Sequence, residues 1–145
     1  MIKQNRKIIH NAGVSATWQR ALILTTLQAR TDHPDAEALH QAVGVETPSI
    51  SLDTVYRALS LFARNGLIQQ LAVPTRRSRY DGCVAPHDHF LCTRCERIED
   101  VPASASVSSP LPEEVRKIGT VQSSQQTYIG LCHACAERES ARAVI

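Results

Sequence analysis

Ser51-Leu-Asp-Thr-Val-Tyr-Arg-Ala-Leu-Ser-Leu-Phe-Ala-Arg-Asn-Gly66, followed directly by Leu67-Ile-Gln-Gln-Leu-Ala-Val73, is the stretch that decides the fold. Ser51 is a good helix cap, and Asp53 lies in the first turn, where a carboxylate meets the positive end of the helix dipole. An inner apolar stripe recurs at helical spacing and consists of Val55, Leu59, Phe62 and Ala63. The pattern predicts a helix over 52–65 that ends at Gly66.

The residues after this helix predict a β-hairpin. A strand is expected over 67–73, a turn over 74–77, where Pro74 stands, and a returning strand over 78–81. Upstream, apolar spacing predicts a helix over 18–27 with Thr17 as its cap and with Trp18, Leu22 and the apolar residues of 24–27 inward. A shorter helix over 36–43 follows Pro34 and ends at Gly44. Three helices and a hairpin are the order of a winged helix.

Charge separates this segment from the remainder of the chain. Residues 1–80 carry ten Lys/Arg against five Asp/Glu, whereas residues 81–145 carry six against nine, which gives +5 and −3. The basic half is therefore the one expected to meet nucleic acid. No long apolar span or export signal is visible, so we expect a cytoplasmic protein with no membrane partner.

Two Cys-x-x-Cys pairs constrain the chemistry of the second half. In a reducing cytoplasm the four thiols Cys92, Cys95, Cys132 and Cys135 are better interpreted as ligands of a structural tetrahedral zinc than as disulfides. The 36 residues between the pairs exceed the spacing of a zinc ribbon, yet loop closure costs grow only logarithmically with length. A redox dithiol and a coincidence of spacing are the alternatives, although no βαβ pattern precedes either pair.

A second metal site is predicted beside the first cysteine pair. His87 and His89 alternate, so on a strand both imidazoles face one side and Asp88 the other. Asp81 and Asp100 stand at predicted strand ends, and His33 is a possible fifth ligand. Imidazoles with carboxylates favour Fe(II) or Mn(II). Taken singly, each histidine is better explained as a surface or capping residue, but their clustering beside a zinc cage favours metal binding.

The second half is predicted as a small α/β domain over 82–145. Short strands are expected at 90–92, 97–101 and 127–131, with a Ser/Pro-rich loop over 102–112, a helical turn or two over 112–118 and a terminal helix over 134–144. The fold class is thus α+β: a winged-helix domain over 1–81, then a small α/β domain with a Cys₄ zinc site.

Three segments together resemble the ferric uptake regulator family of dimeric bacterial metalloregulators, over essentially the whole chain. Ala12-Gly-Val-Ser-Ala-Thr-Trp-Gln-Arg20 is similar to the start of the family's first long helix. Ser49-Ile-Ser-Leu-Asp-Thr-Val-Tyr-Arg-Ala-Leu59 resembles its recognition helix, and His87-Asp-His-Phe-Leu-Cys-Thr-Arg-Cys95 its metal-binding core.

The resemblance implies a homodimeric repressor that dimerises through the metal-binding domain over 82–145. Its two metals have different tasks. The resemblance assigns the four paired cysteines as the structural zinc ligands. It assigns as regulatory metal ligands His33, Asp81, His87, His89 and Asp100. The choice of aspartate at positions 81 and 100 is similar to that in the peroxide-sensing branch of the family. In that branch, bound Fe(II) reacts with peroxide and a ligand histidine is oxidised, which here would be His33 or His87. Cys83 lies where zinc-sensing relatives use a cysteine, so zinc or iron sensing is the alternative.

Two departures from the family pattern limit what is carried over. Residues 103–109 and 122–126 contain neither the His nor the Glu of an additional metal site, so that site is expected to be absent. Ser15 replaces a basic residue that often reaches the minor groove in the family.

DNA would be read by the third helix in the major groove of an inverted-repeat operator. A Tyr ring can pack on a thymine methyl and an Arg can reach a purine edge. The predicted contacts are Ser51, Thr54, Tyr56 and Arg57 on the helix and Arg76, Arg77 and Arg79 on the wing. A packing aromatic, solvated charges and a solvated turn are the alternative interpretations of these residues.

Two other classes of protein fit the sequence less well than a repressor does. A small metalloenzyme would need a general base paired with the Asp/His site, and no such motif or small organic substrate is indicated. A zinc-scaffolded interaction module would leave Tyr56, Arg57 and the arginine wing without a task.

Overall fold

A computed structural model describes residues 1–103 and 111–143 of the chain. The chain divides into two compact units, Met1–Val84 and a second that begins at Ala85. This division falls three residues after the predicted domain boundary. Most of the loop predicted over 102–112 and the final residue of the helix predicted over 134–144 lie outside the described residues.

Six helices and five strands make up the described chain. In chain order they are α1 (Ile2–Asn11), α2 (Trp18–Gln28), α3 (Ala36–Gly44), α4 (Leu52–Arg64), β1 (Gln69–Gln70), β2 (Tyr80–Asp81), β3 (His87–Cys92), β4 (Ile98–Pro102), α5 (Glu113–Ile118), β5 (Thr127–Gly130) and α6 (His133–Ala143). Helices α1 to α4 with the β1–β2 ribbon form the first unit, a winged helix, and the remaining elements form the second.

Local capping chemistry explains where the predicted helices begin. The side chains of Thr17, Asp35 and Ser51 accept hydrogen bonds from the backbone N–H groups of Arg20, Ala38 and Thr54, which satisfies donors that a helix start leaves open. The helices predicted over 18–27, 36–43 and 52–65 are confirmed to within one residue at each end. Trp18 is the exception to the predicted inner face, because its side chain is 47% exposed.

Helix α1 was not predicted. It ends where Gly13 adopts φ +80°, a conformation glycine takes without strain, and the Gly13 N–H bonds the carbonyl of His10. Its buried Asn5 amide donates to Thr25 Oγ1 at 2.7 Å and Gln28 Oε1 at 2.9 Å. These bonds fasten α1 to α2 beside the apolar core that all four helices share.

The wing hairpin is much shorter than predicted. Strands β1 and β2 pair antiparallel at only two positions, Gln69 with Asp81 and Gln70 with Tyr80, and one further bond joins the Leu71 N–H to the Arg79 carbonyl. Pro74 has no N–H to donate, so the ladder cannot continue through it. The prediction of strands over 67–73 and 78–81 was therefore wrong in extent, although the hairpin itself is present.

The second unit is built on a three-stranded sheet in the order β4–β3–β5. Strand β3 pairs antiparallel with β4 and parallel with β5, and the latter register sets Cys92 opposite Gly130. The three strands confirm the predicted ones, with β3 beginning earlier, at His87. In the described residues no helix has the length and apolar character needed to cross a bilayer.

Candidate metal centres and nucleic-acid interface

The first cysteine pair lies on a tight turn between β3 and β4. Cys92 ends β3, its N–H bonds the Arg97 carbonyl at 3.0 Å, and the Glu96 N–H bonds the Cys92 carbonyl at 2.9 Å. Glu96 has φ +60°, a left-handed conformation that non-glycine residues rarely adopt. This turn directs the Cys92 and Cys95 thiols to one side.

Parallel pairing brings the second pair to the same end of the sheet. Cys92 lies opposite Gly130, and the Thr93 N–H bonds the Gly130 carbonyl at 2.8 Å. The chain that leaves β5 therefore passes beside the turn between β3 and β4. Cys132 follows within two residues, and Cys135 lies in the first turn of α6, where the Ala136 N–H bonds the Cys132 carbonyl at 2.9 Å.

The four sulfur atoms lie close enough together to bind one metal ion. All lie within 4.8 Å of one another, and Cys95 Sγ is 3.9 Å from Cys132 Sγ. A tetrahedral zinc with Zn–S bonds near 2.3 Å spaces its sulfurs by about 3.8 Å. All five cysteines of the chain are free thiols. The predicted cysteines are thus together, and their geometry fits zinc.

The acidity of these thiols fits the same interpretation. Hydrogen bonds from backbone N–H groups, led by that of Cys132, lower the pKa of Cys92 to about 6, whereas sharing a proton with Cys132 raises the pKa of Cys135 to about 12. Adjacent thiolates repel one another, so the cluster does not carry four negative charges without a cation. A divalent metal removes this conflict because it binds the deprotonated form of every ligand.

In the first unit, His33 and Asp81 form a buried pair. Nε2 of His33 lies 3.4 Å from Oδ2 of Asp81, and the two side chains are 2% and 7% exposed. His33 precedes Pro34 yet has φ +51°, although a residue before proline prefers an extended conformation. The short β2 strand supplies Asp81, and its neighbour Tyr80 bonds the Pro34 carbonyl through its N–H at 3.1 Å.

In the second unit, His87, His89 and Asp100 form a separate cluster on β3 and β4. The strand register sets His89 opposite Asp100, and Asp100 Oδ1 lies 3.2 Å from His87 Nε2 and 3.5 Å from His89 Nε2. The histidine rings lie on one side of the strand with centroids 4.5 Å apart, while Asp88 points away and accepts a bond from the Gln126 N–H. The predicted alternation is confirmed.

The tautomer of His87 shows what this cluster can bind. Nδ1 of His87 lies 2.7 Å from the Ala85 carbonyl, which can only accept, so Nδ1 is the donor there and Nε2 is the ring nitrogen that faces Asp100 and is available to a metal in the neutral ring. A lone pair and a carboxylate oxygen at this separation attract only if a proton or metal cation lies between them. The same donors, imidazole nitrogen and carboxylate oxygen, suit a divalent transition metal.

The exposed face of α4 carries the predicted helix contacts. Tyr56 is 40% exposed, Arg57 lies 2.8 Å from Asp53 one turn earlier, and the Ser51 hydroxyl bonds that of Thr54 at 2.7 Å as part of the cap. Beside Tyr56 is a shallow depression of about 350 Å³ lined by Arg20, Tyr56, Arg57, Ser60, Leu61 and Arg64. Sequence reasoning missed Arg20 and Arg64, although Arg64 stands two turns after Arg57 on the same helix.

The wing arginines have different environments. Arg77 donates to Glu37 at 2.5 Å and lies 3.7 Å from Asp35, whereas Arg76 is exposed. Arg79 turns inward: its guanidinium donates to the backbone carbonyls of Asp32 and His33. The expectation that Arg79 follows the DNA backbone with the other two is not supported by this orientation.

A winged helix joined to a sheet unit that carries a thiolate cage and a histidine–carboxylate cluster defines a class of metal-binding regulators. The sequence profile of the ferric uptake regulator family matches residues 11–128. The peroxide-responsive repressor PerR of Staphylococcus saprophyticus is 32% identical over 132 residues, which cover 90% of this chain and 88% of that protein. The chain belongs to the ferric uptake regulator family.

Solved structures agree with this assignment. The ferric uptake regulator of Helicobacter pylori superposes with a TM-score of 0.76 at 22% identity, covering 93% of this chain and 91% of that one. The peroxide stress regulator of Campylobacter jejuni superposes with a TM-score of 0.68 at 27% identity, covering 91% and 96%. Membership in this family of transcriptional regulators also sets the metalloenzyme alternative aside.

Proposed function

We propose that this protein is a homodimeric repressor that binds an inverted-repeat operator when its regulatory site holds Fe(II) or Mn(II), with Zn(II) in the cysteine cage. The observation that carries the proposal is that both units of the chain supply histidine and aspartate donors. His33 and Asp81 belong to the winged-helix unit, and His87, His89 and Asp100 belong to the sheet unit.

A single ion that takes ligands from both sets would link the orientation of α4 to metal occupancy. Because a ligand shifts an equilibrium only through its different affinity for the two states, the ion has to be held better in the DNA-binding arrangement than in any other. In a dimer this arrangement also fixes the spacing of the two α4 helices, which must match half-sites about one helical turn of DNA apart.

The donors support Fe(II) or Mn(II) as the regulatory metal. Three imidazoles and two carboxylates are harder ligands than the thiolates of the cage, so the two sites select different metals. Bound Fe(II) would supply the reaction with peroxide that oxidises a ligand histidine. A relative that is 32% identical is named a peroxide-responsive repressor, and aspartate stands at both 81 and 100, which supports a peroxide response here.

The charges on α4 support DNA as the partner. The depression beside Tyr56 is lined by three guanidinium groups, those of Arg20, Arg57 and Arg64, and guanidinium groups bind phosphate with directed pairs of hydrogen bonds. Tyr56 adds an exposed ring that can pack on a thymine methyl. The Arg57–Asp53 pair is solvent-exposed, so it exchanges for a phosphate contact at little cost.

The outer edge of strand β5 supports a homodimer. In the described ranges, 1–103 and 111–143, β5 pairs with β3 alone, and it exposes Tyr128 by 42% and Ile129 by 55%, with Leu131 beyond it at 36%. An open strand edge with apolar side chains favours pairing with another strand. A second copy of the chain offers the same edge, which gives a two-fold interface.

The decisive experiment is operator binding by gel shift with Mn(II), Fe(II) or Zn(II) added to protein whose zinc cage is loaded. Mn(II) and Fe(II) are expected to support binding that chelation of the regulatory metal abolishes. Elemental analysis in parallel shows whether the cage keeps its zinc throughout. Affinity that is unchanged after chelation, with the cage intact, contradicts the proposal.

Zinc sensing is the second candidate, and Cys83 favours it. Cys83 is exposed, and its backbone N–H donates to Oδ1 of the proposed ligand Asp81 at 2.8 Å. A thiolate near the regulatory ligands would soften the site toward zinc. The gel shift separates the candidates, because this alternative predicts that Zn(II) supports binding at concentrations where Mn(II) does not.

A further inference from the structure

The segment that carries His33 is held by a side chain from the wing. Nη2 of Arg79 donates to the Asp32 carbonyl at 2.9 Å, and Nε of the same guanidinium donates to the His33 carbonyl. Two successive carbonyls therefore accept from one planar fork, whose donors have a fixed relative geometry. This contact defines the orientation of the peptide groups on both sides of the His33 side chain.

The His33 backbone needs such a contact. A non-glycine residue at φ +51° before a proline occupies a conformation that local preferences disfavour. It persists only where neighbouring groups fix it. Beside the Arg79 fork, the Tyr80 N–H bonds the Pro34 carbonyl at 3.1 Å. Hydrogen bonds from Arg79 and Tyr80 therefore hold the segment on both sides of His33.

Arg79 also belongs to the wing through its own backbone. Its carbonyl accepts a bond from the Leu71 N–H at 2.9 Å, and Gln70 pairs with Tyr80 in the adjacent position. One residue thus contacts the wing hairpin through its main chain and the ligand segment through its side chain. Arg79 therefore joins the wing hairpin directly to the segment that carries His33.

We infer that Arg79 is a positioning residue for the regulatory metal: it fixes His33 in its ligand conformation and couples the wing to the metal site. The inference rests on the proposed function, because it takes His33 to be a ligand. It assigns to Arg79 a task different from that of Arg76, the neighbouring exposed arginine of the same hairpin. Arg79 acts on the metal, and Arg76 acts on the phosphate backbone.

The test compares Arg79→Gln with Arg76→Gln in the full-length, zinc-loaded protein. Mn(II) affinity is measured by calorimetry without DNA, and operator affinity is then measured over a salt series at saturating Mn(II). Loss of an outer-shell partner typically weakens metal binding 10- to 100-fold, so Arg79→Gln is expected to lower Mn(II) affinity by about tenfold or more. Its salt slope should equal that of the wild type.

Arg76→Gln is expected to show the reverse: unchanged Mn(II) affinity and a salt slope reduced by about 0.9 for each lost phosphate contact. Arg79→Lys keeps the charge without the planar fork, and its Mn(II) affinity should lie between those of Arg79→Gln and the wild type. Wild-type Mn(II) affinity in Arg79→Gln, or a reduced salt slope at saturating Mn(II), overturns the inference.

A metal-free measurement separates this inference from the proposed function. Hydrogen exchange of the Tyr80 amide reports the bond to Pro34 directly, and it should be faster in Arg79→Gln and in Arg79→Lys than in the wild type. An unchanged exchange rate in both variants contradicts the hold on the segment whatever the metal does. Faster exchange in a protein that shows no metal-dependent DNA binding refutes the proposed function and leaves the Arg79 contact standing.

Discussion

Oδ1 of Asp88 accepts a hydrogen bond from the backbone N–H of Gln126 at 2.9 Å, and the carbonyl of Gln126 accepts one from the His89 N–H at 3.1 Å. Asp88 is 1% exposed. The residue just before β5 is therefore fastened to β3 through both of its backbone groups. This pair sets the parallel register that brings the two cysteine pairs to one end of the sheet.

Asp88→Ala is expected to destabilise the sheet unit by about 1.5–3 kcal/mol, because it removes the hydrogen bond that the buried Asp88 carboxylate accepts, and bonds to charged groups contribute about this much. Urea unfolding of the zinc-loaded protein measures the change. Asp88→Asn retains an acceptor oxygen and should lose less. Glu99→Ala, at an exposed carboxylate on the adjacent strand, is the matched control and should stay within about 0.5 kcal/mol of the wild type. Equal stability of Asp88→Ala and the wild type would show that the bond contributes nothing.

Cys135→Ser should release the zinc and unfold the second unit. Structural zinc binding supplies on the order of 10 kcal/mol to folding at neutral pH, more than a unit of this size usually gains from its own core. Elemental analysis and far-ultraviolet circular dichroism measure the two effects. Cys83→Ser, at an exposed cysteine outside the cage, is the control and should keep both zinc and structure. A Cys135→Ser protein with full zinc content would exclude the four-thiolate cage.

Features that depend on neighbours in the sequence were predictable. Thr17 and Ser51 cap their helices because a hydroxyl reaches an N–H three residues ahead, and His87 and His89 share a face because a strand alternates. The convergence of the cysteines was predicted from their chemistry alone. It needed no knowledge of the path between the two pairs.

Features that depend on distant packing were not predictable. Trp18 has the size of a core residue and sits at the right spacing, yet the α2 stripe is completed by smaller side chains and leaves it exposed. Arg79 stands 47 positions from Asp32 and 46 from His33 in the sequence. Nothing local distinguishes it from Arg76, so only the tertiary structure shows that it turns inward. Helix α1 was missed because most of its residues are polar, and Ile2, Ile8 and Ile9 are its only apolar ones.

Brief peroxide treatment of the Fe(II)-loaded protein should add the mass of one oxygen atom to the peptide that contains His33 or His87. Both side chains are proposed ligands, so an oxidant generated at the metal reaches them first. Tryptic mass spectrometry locates the modification, and the Mn(II)-loaded protein, which should stay unmodified, is the control. Oxidation confined to cysteines would indicate a thiol sensor instead. Oxidation should also end operator binding, as the gel shift can record.

Cys83→Ser distinguishes the two candidate signals. Under the iron and manganese proposal the variant keeps its metal-dependent operator binding, because the thiol is not among the five proposed ligands. Under zinc sensing it loses its response to Zn(II), since a thiolate contributes strongly to zinc affinity. The measurement is a gel shift over a Zn(II) and an Mn(II) concentration series, with Cys83→Ala confirming that a residual hydroxyl has no influence. A selective loss of the Zn(II) response favours the alternative.

Arg64→Gln should weaken DNA binding equally on all sequences. Its guanidinium lines the depression beside Tyr56 and is placed to contact phosphate, so each dimer loses two contacts and the salt slope should fall by about 1.8. Tyr56→Ala should instead reduce discrimination between the operator and a variant lacking its thymine methyl groups, because ring contacts to base edges carry sequence information. Fluorescence anisotropy at saturating Mn(II) over a salt series measures both effects. Arg116→Gln, on the exposed helix α5 of the other unit, is the charge-matched control; if it lowers the slope as much as Arg64→Gln, the depression on α4 has no special part in binding DNA.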